Sequence, residues 1–288
     1  MPLKAETSNC HSALYSDPTM KQTTPALTAG ESLEDSTNIS SRRDFNRRSV
    51  QALLTISLLD HLCSGNLLAA EARLSAEKWL KEVNGIGLDV QGKKMKQVEW
   101  QNRIEDLMQN QIDLSELLRL IDFERIEKNA KFADNGARSI RPRFPKLEGV
   151  PDRLVFGQQV FALKKGRSVV PHGHNNMATA FIILKGNFHG RHYDRVADEK
   201  EHMIIKPTID AKFGPGQTSS ISDEKDNVHW FKAEDEPAFI FNIHVFGLNP
   251  GSGRRTSRIY VDPHGEKLDD GLIRARLIDS KEAHRRYG

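Results

Sequence analysis

Lys165-Gly166-Arg167-Ser168-Val169-Val170-Pro171-His172-Gly173-His174 is the stretch on which the reading of this chain turns, with Thr179 and Gly186 just after it and His229 much later. Two imidazoles one residue apart on an extended strand point to the same face. Both can therefore reach one metal ion without a helical HExxH scaffold, and a mononuclear metal site is the leading expectation. The competing reading makes His172 and His174 exposed loop histidines after Pro171.

The sequence around this stretch reads as strands. Pro142, Pro145 and Pro151 break any helix. Short apolar runs then follow at 154–161, 169–170, 180–184, 203–205, 228–231 and 239–246. Rich in Val, Ile and Phe and punctuated by Gly, Pro and Asp, they predict an antiparallel sandwich or barrel. The tail adds a strand-like Ile259-Tyr260-Val261 and a closing helix near Ile273 to Ala283. Upstream, the pattern over 73–136 is helical: Leu74, Trp79, Leu80 and Val83 recur at steps of three and four, as do Trp100, Ile104, Leu107 and Met108, then Leu114, Leu117, Leu118 and Ile121. Asp113 and Glu116 form a candidate capping pair, and Asn135-Gly136 is the expected stop. The apolar stripes read as core rather than as a cofactor site.

Composition excludes several classes. With 288 residues and a net charge of only +3, the chain has no nucleic-acid signature. It has no clean apolar run of about 20 residues, so it does not read as a polytopic membrane protein, and no stable membrane anchor is expected. Residues 1–40 are rich in Ser, Thr, Pro and Ala without apolar periodicity and read as a disordered leader. Ser41-Arg42-Arg43-Asp44-Phe45-Asn46 then precedes the uncharged Val50–Leu59, and small residues follow up to Ala70-Glu71-Ala72. This order over 41–72 resembles a twin-arginine translocation signal, departing from it at Asn46. The alternative is a buried helix over 50–70, interrupted by Asp60, His61 and Asn66. The resemblance implies export by the twin-arginine machinery to the periplasm or medium, with cleavage after Ala72. Cys10 and Cys63 would leave with the signal, so any metal in the mature chain must be held by His, carboxylate or carbonyl.

Gly166, His172-x-His174, Thr179 and Gly186, with their spacing, are similar to the first cupin motif, with Thr179 where that family usually has Glu. His229 resembles the single His of the second motif, which is otherwise degraded: Glu224 and Asp226 replace Pro and Gly, and Ala233 replaces Asn. The resemblance covers about 150–250. It implies a mostly β protein, a cupin double-stranded β-helix or jelly-roll barrel over 137–250 with a small helical segment before it and an extension over 251–288. It also implies that His172, His174 and His229 surround one ion at the barrel mouth. Three neutral imidazoles leave the charge of a dipositive ion facing the substrate, which favours an anionic ligand. Such three-His sites include the thiol dioxygenases, whose Ser-x-His-x-Tyr strand is similar to Asn242-Ile243-His244-Val245-Phe246. His244 then stands as the catalytic candidate, while the phenol of that family is missing at Phe246.

Arg191, His192 and Thr179 are the candidate substrate-binding residues. His189 and His192, three apart on a strand, must face opposite ways, and Arg153 and Arg195 are further candidates to meet an anion. Asp226 is a weaker candidate ligand, with a turn role as its alternative. The resulting expectation is an exported iron(II) cupin, with another divalent metal as the variant, that adds dioxygen to a small chelating substrate such as a thiol. A non-catalytic metal- or ligand-binding cupin and a metal-assisted isomerase or lyase are the alternatives. Edge strands and the helical segment leave room for an oligomer.

Overall fold

A computed structural model describes residues 74–249, 251, 253 and 255–288. The expected leader, twin-arginine segment and cleavage point, and both cysteines, lie outside the described residues. Among the described residues four helices come first: α1 (Ala76–Gln91), α2 (Gln97–Gln109), α3 (Leu114–Leu120) and α4 (Phe123–Lys128). Ser75 caps α1 by accepting the N–H of Lys78. Most of the predicted stripe is buried, with Trp79, Leu80, Trp100 and Ile104 fully covered, while Leu74, Leu114 and Leu118 are half-buried against the same core. Asp113 stands at the N-cap of α3, and Glu116 accepts the N–H of Ala76 at 2.8 Å and so ties two helices together. The last helix ends at Lys128, before Asn135-Gly136. Among the described residues no helix is long and apolar enough to cross a membrane.

Eleven strands follow: β1 (Arg138–Ile140), β2 (Phe156–Leu163), β3 (Ser168–Asn175), β4 (Met177–Lys185), β5 (Phe188–Asp198), β6 (His202–Phe213), β7 (Thr218–Ile221), β8 (Val228–Ala233), β9 (Ala238–Phe246), β10 (Ser257–Lys267) and β11 (Ile273–Ile278). One sheet has the order β1-β2-β9-β4-β7, and the other runs β3-β8-β5-β6 and is closed into a ring by β10 and β11. All the pairs are antiparallel. Strands β2 to β9 thus form the two four-stranded sheets of a jelly roll, the double-stranded β-helix of the cupin fold. The protein is mostly β with a small helical segment ahead of the strands.

The C-terminal region differs from expectation in two ways. Residues 273–278 are a strand rather than the start of a helix, and only Ser280–Tyr287 form the helix α5. The alternation of Ile273, Ala275 and Leu277 with Arg274 and Arg276 suits a strand with one apolar face. That strand pairs with the otherwise open edge of β6, while β10 pairs with β3, so the extension is built into the barrel.

Three apolar cores result. The largest lies between the helices and the outer face of the first sheet, where Ala178, Ala180 and Ile182 of β4 and Phe239, Phe241 and Ile243 of β9 meet Trp79, Ile104 and Leu117. A second fills one end of the barrel interior with Phe161, Phe181, Ile183, Phe188, Phe231 and Ile240. The third lies beneath the C-terminal hairpin, around Met203, Ile205, Val228 and Val261. Strands β4 and β9 are buried on both faces, which is why they read as continuous apolar runs. The helices also hold the short edge strand β7: Gln101 donates to the Ser220 carbonyl (3.1 Å) and accepts from Ser222 (2.7 Å).

Phe239 is fully buried, with its ring 5.1 Å from Phe123 and 5.9 Å from Phe132. Phe239→Ala should cost about 3–5 kcal/mol in urea unfolding, whereas Leu88→Ala, at a site 53% exposed, should stay within about 0.5 kcal/mol. Equal effects would contradict the helix-on-sheet packing.

Candidate metal centre

Strand pairing assembles the site. β3 lies beside β8 with His172 directly opposite His229; His174, two residues on, shares that face. One ring nitrogen from each of the three lies within 4.8 Å of those of the others. The ring centroids are 4.2 Å apart for His172 and His229, 4.9 Å for His174 and His229, and 5.0 Å for His172 and His174. All three are buried. The structure therefore brings together the His172–His174 pair and His229, the three histidines that the cupin resemblance implied, and they could hold a metal ion.

The donor set fits a cation. Nδ1 of His172 is 2.7 Å from the Val170 carbonyl, which can only accept, so Nδ1 carries the hydrogen and Nε2 a lone pair. Nε2 of His172, Nε2 of His174 and Nδ1 of His229 are all buried without a hydrogen-bond partner. Leaving one such atom unsatisfied costs about 1–3 kcal/mol, so an unpartnered nitrogen on each of three adjoining histidines fits a ligand at this site. Burial also holds the rings uncharged: His172 is pushed down to about 3, first by loss of solvent and then by the nearby Arg258 guanidinium. His174 and His229 are driven well below the ordinary imidazole range, chiefly by burial and by neighbouring histidines.

Thr179 is fully buried, opposite His244 in the β4–β9 ladder, and does not serve as an exposed substrate contact. Its hydroxyl lies 2.9 Å from Nδ1 of His244 and 3.4 Å from Nδ1 of His174. With His174 presenting Nε2 to the cluster, its Nδ1–H donates to the threonine oxygen, whose own hydrogen is then given to His244. Thr179, where the resembled motif has a carboxylate, thus couples a candidate ligand to His244. His244 itself lines an open cleft of about 740 Å³ at the barrel mouth, together with Met177, Phe246 and Arg258.

Two other candidates need correction. Arg191 lies opposite Trp230 on the outer face of its sheet, its guanidinium stacked 4.8 Å from that indole and bonded to Asp210. Strand alternation turns it away from the histidines, so it cannot meet a substrate there. His192 does face inward, with its ring 6.3 Å from His229, but it is enclosed by Phe181, Phe213 and Phe231 beyond the cluster and does not line the mouth cleft. Arg195 is committed to Asp198 and Asn175. His189 faces outward and pairs with Asp210. Asp226 is a turn residue at φ 55° that accepts from Thr208, outside the three-His cluster.

Arg258 and Tyr260 are the residues that sequence reasoning missed. Opposite His174 and His172 in the β3–β10 ladder, they share the histidines' face, and the Tyr260 ring is 5.8 Å from that of His172. The alternation about Ile259-Tyr260-Val261 was visible. No local motif says which strand it joins.

No family model and no curated protein matches the chain. Among solved structures, it resembles pumpkin seed globulin (16% identity over 44% of this chain and 28% of that one, TM-score 0.31). Two others are an uncharacterized conserved protein with a double-stranded β-helix domain from Klebsiella pneumoniae (12%, 42% and 82%, TM-score 0.28) and Rhodobacter sphaeroides SigE in complex with the anti-sigma ChrR (17%, 38% and 44%, TM-score 0.24). The match to an 11S globulin of Wrightia tinctoria spans 22% of that protein's length. The fold assignment rests on the strand order itself.

The buried rings set an acid limb. His192 and His244 are both lowered to about 3, mainly by burial. The unfolded chain protonates such rings near 6.5, so unfolding takes up protons between about pH 3 and 6.5. Stability therefore rises with pH across that window and is lost as pH falls through it. In metal-free protein, His192→Gln should flatten the dependence of the urea midpoint between pH 4.5 and 6.5, each neutral histidine contributing about 1.4 kcal/mol per pH unit. An unchanged slope would contradict a buried neutral His192.

Proposed function

We propose that this chain is an exported mononuclear metal enzyme of the cupin type that adds dioxygen to a small substrate chelating the ion, a thiol being the class tested first. One observation carries the reading: three buried, uncharged imidazoles converge with their free nitrogens unpartnered. His172, His174 and His229 would hold the ion, and iron(II) is the metal that the resemblance to three-His dioxygenases implies, imidazole being a donor that suits it. When bound, the ion supplies Lewis acidity and dioxygen activation.

The chain's own groups do the rest. Val170 fixes the ring of His172. Thr179 orients His174 and His244 together, which leaves Nε2 of His244 as the ring atom able to hold or pass a proton on the cleft side. Phe181, 5.0 Å from the His229 ring, and Phe231 keep water from the inner side. The Ser41-Arg42-Arg43 segment supports export by the twin-arginine route, which carries folded, loaded protein.

Protein purified without added metal should carry about one ion per chain by elemental analysis. His172→Ala and His229→Ala should abolish it, while Thr179→Val should keep the ion but weaken its binding by about 10-fold or more. Oxygen consumption by iron-loaded protein across a thiol panel tests the reaction. Full metal occupancy with no uptake on any thiol would overturn the thiol assignment and leave a metal-binding cupin of another chemistry.

A further inference from the structure

The mouth cleft is charged in one direction only. Its lining includes Arg141, Arg153 and Arg258 and no carboxylate. None of the three has an ion-pair partner among the described residues, in contrast to Arg191 and Arg195, which are matched by Asp210 and Asp198. The three come from separate parts of the chain. Arg141 follows β1, Arg153 precedes β2, and Arg258 lies on β10 opposite His174. Arg258 is directly opposite His174 in the β3–β10 ladder, and His244 is the one site histidine that lines the cleft. The remaining lining combines Ser, Thr and Gln with Phe156, Met177 and Phe246, polar contacts beside an apolar wall.

We infer that the cleft selects a multiply charged anion, a small molecule with two or more carboxylate or phosphate groups, whose charged end is held by Arg141, Arg153 and Arg258 while its other end lies toward His244. Guanidinium groups bind both anions in a forked, two-bond geometry. Three of them beside a dipositive ion with uncharged ligands leave more positive charge than one carboxylate can balance. This deepens the proposed function and rests on it for the placing of the reacting end, whereas capture of the anion by the arginines stands on the cleft alone.

Calorimetric titration of the full-length protein with tricarballylate, inorganic pyrophosphate, acetate and glycerol tests it. At least one of the two polyanions should bind 10-fold or more tighter than acetate, glycerol should not bind, and which polyanion wins identifies carboxylate or phosphate as the ligand chemistry. Arg141→Gln, Arg153→Gln and Arg258→Gln should each weaken that binding at least fivefold, with the Lys variants in between. Arg143→Gln, outside the cleft, should leave it unchanged. All three arginines are exposed, so the variants should fold, and their metal content should stay at the native level. Equal binding of acetate and the polyanions, or indifference to all three Gln variants, overturns the inference. So does loss of polyanion binding in His172→Ala alone with the Gln variants unaffected, since the anion would then merely chelate the ion. Those results leave the metal site intact; polyanion binding that survives while no metal is ever found would sink the proposed function instead.

Discussion

The site depends on one backbone register, the pairing of β3 with β8 that sets His172 opposite His229. A slip of one residue would turn His229 outward and bring Val228 or Trp230 inside. The register is pinned from both sides, because β8 also pairs with β5, where His192 meets His229. It is pinned again by small details. Gly173 fits where a Cβ would come within 2.8 Å of the Asn227 side chain, and that Asn227 amide donates to the His174 and Ser222 carbonyls. The histidines are held by a network that leaves little freedom to reorganise.

The barrel interior is divided between two tasks. One end is filled with aromatic and aliphatic side chains and supplies cohesion; the other holds polar nitrogen with no protein partner. Burying that much unsatisfied polarity is costly, and the cores outside the barrel, against the helices and under the C-terminal hairpin, help to offset it. The hairpin also brings Arg258 and Tyr260 to the site, so the tail is part of both scaffold and centre.

Much of this was legible in the chain. His-x-His on a β-branched strand carries its own geometry, and β4 and β9, buried on both faces, announce themselves as apolar runs. Other strands did not. β5 alternates Phe188, Gly190 and His192 inside with His189 and Arg191 outside, and β7 is the Ser-rich Thr218–Ile221, so neither shows an apolar run. The sequence from Ile273 to Ala283 fits both the helical and the strand period, and what decides for β11 is the free edge of β6, a tertiary fact. Arg191 is ambiguous for a related reason: an arginine next to an inward-facing histidine reads as a ligand contact, whereas strand alternation and Asp210 hold it on the outer face. The arginines that do reach the mouth cleft lie in three separate segments, and only the fold brings them together.

An anomalous-difference map from a crystal of protein purified without chelator tests the central claim most directly. The account predicts one peak about 2.0–2.2 Å from Nε2 of His172, Nε2 of His174 and a ring nitrogen of His229. A peak elsewhere, or a His229 ring turned from its companions and hydrogen-bonded to protein or water, would contradict it.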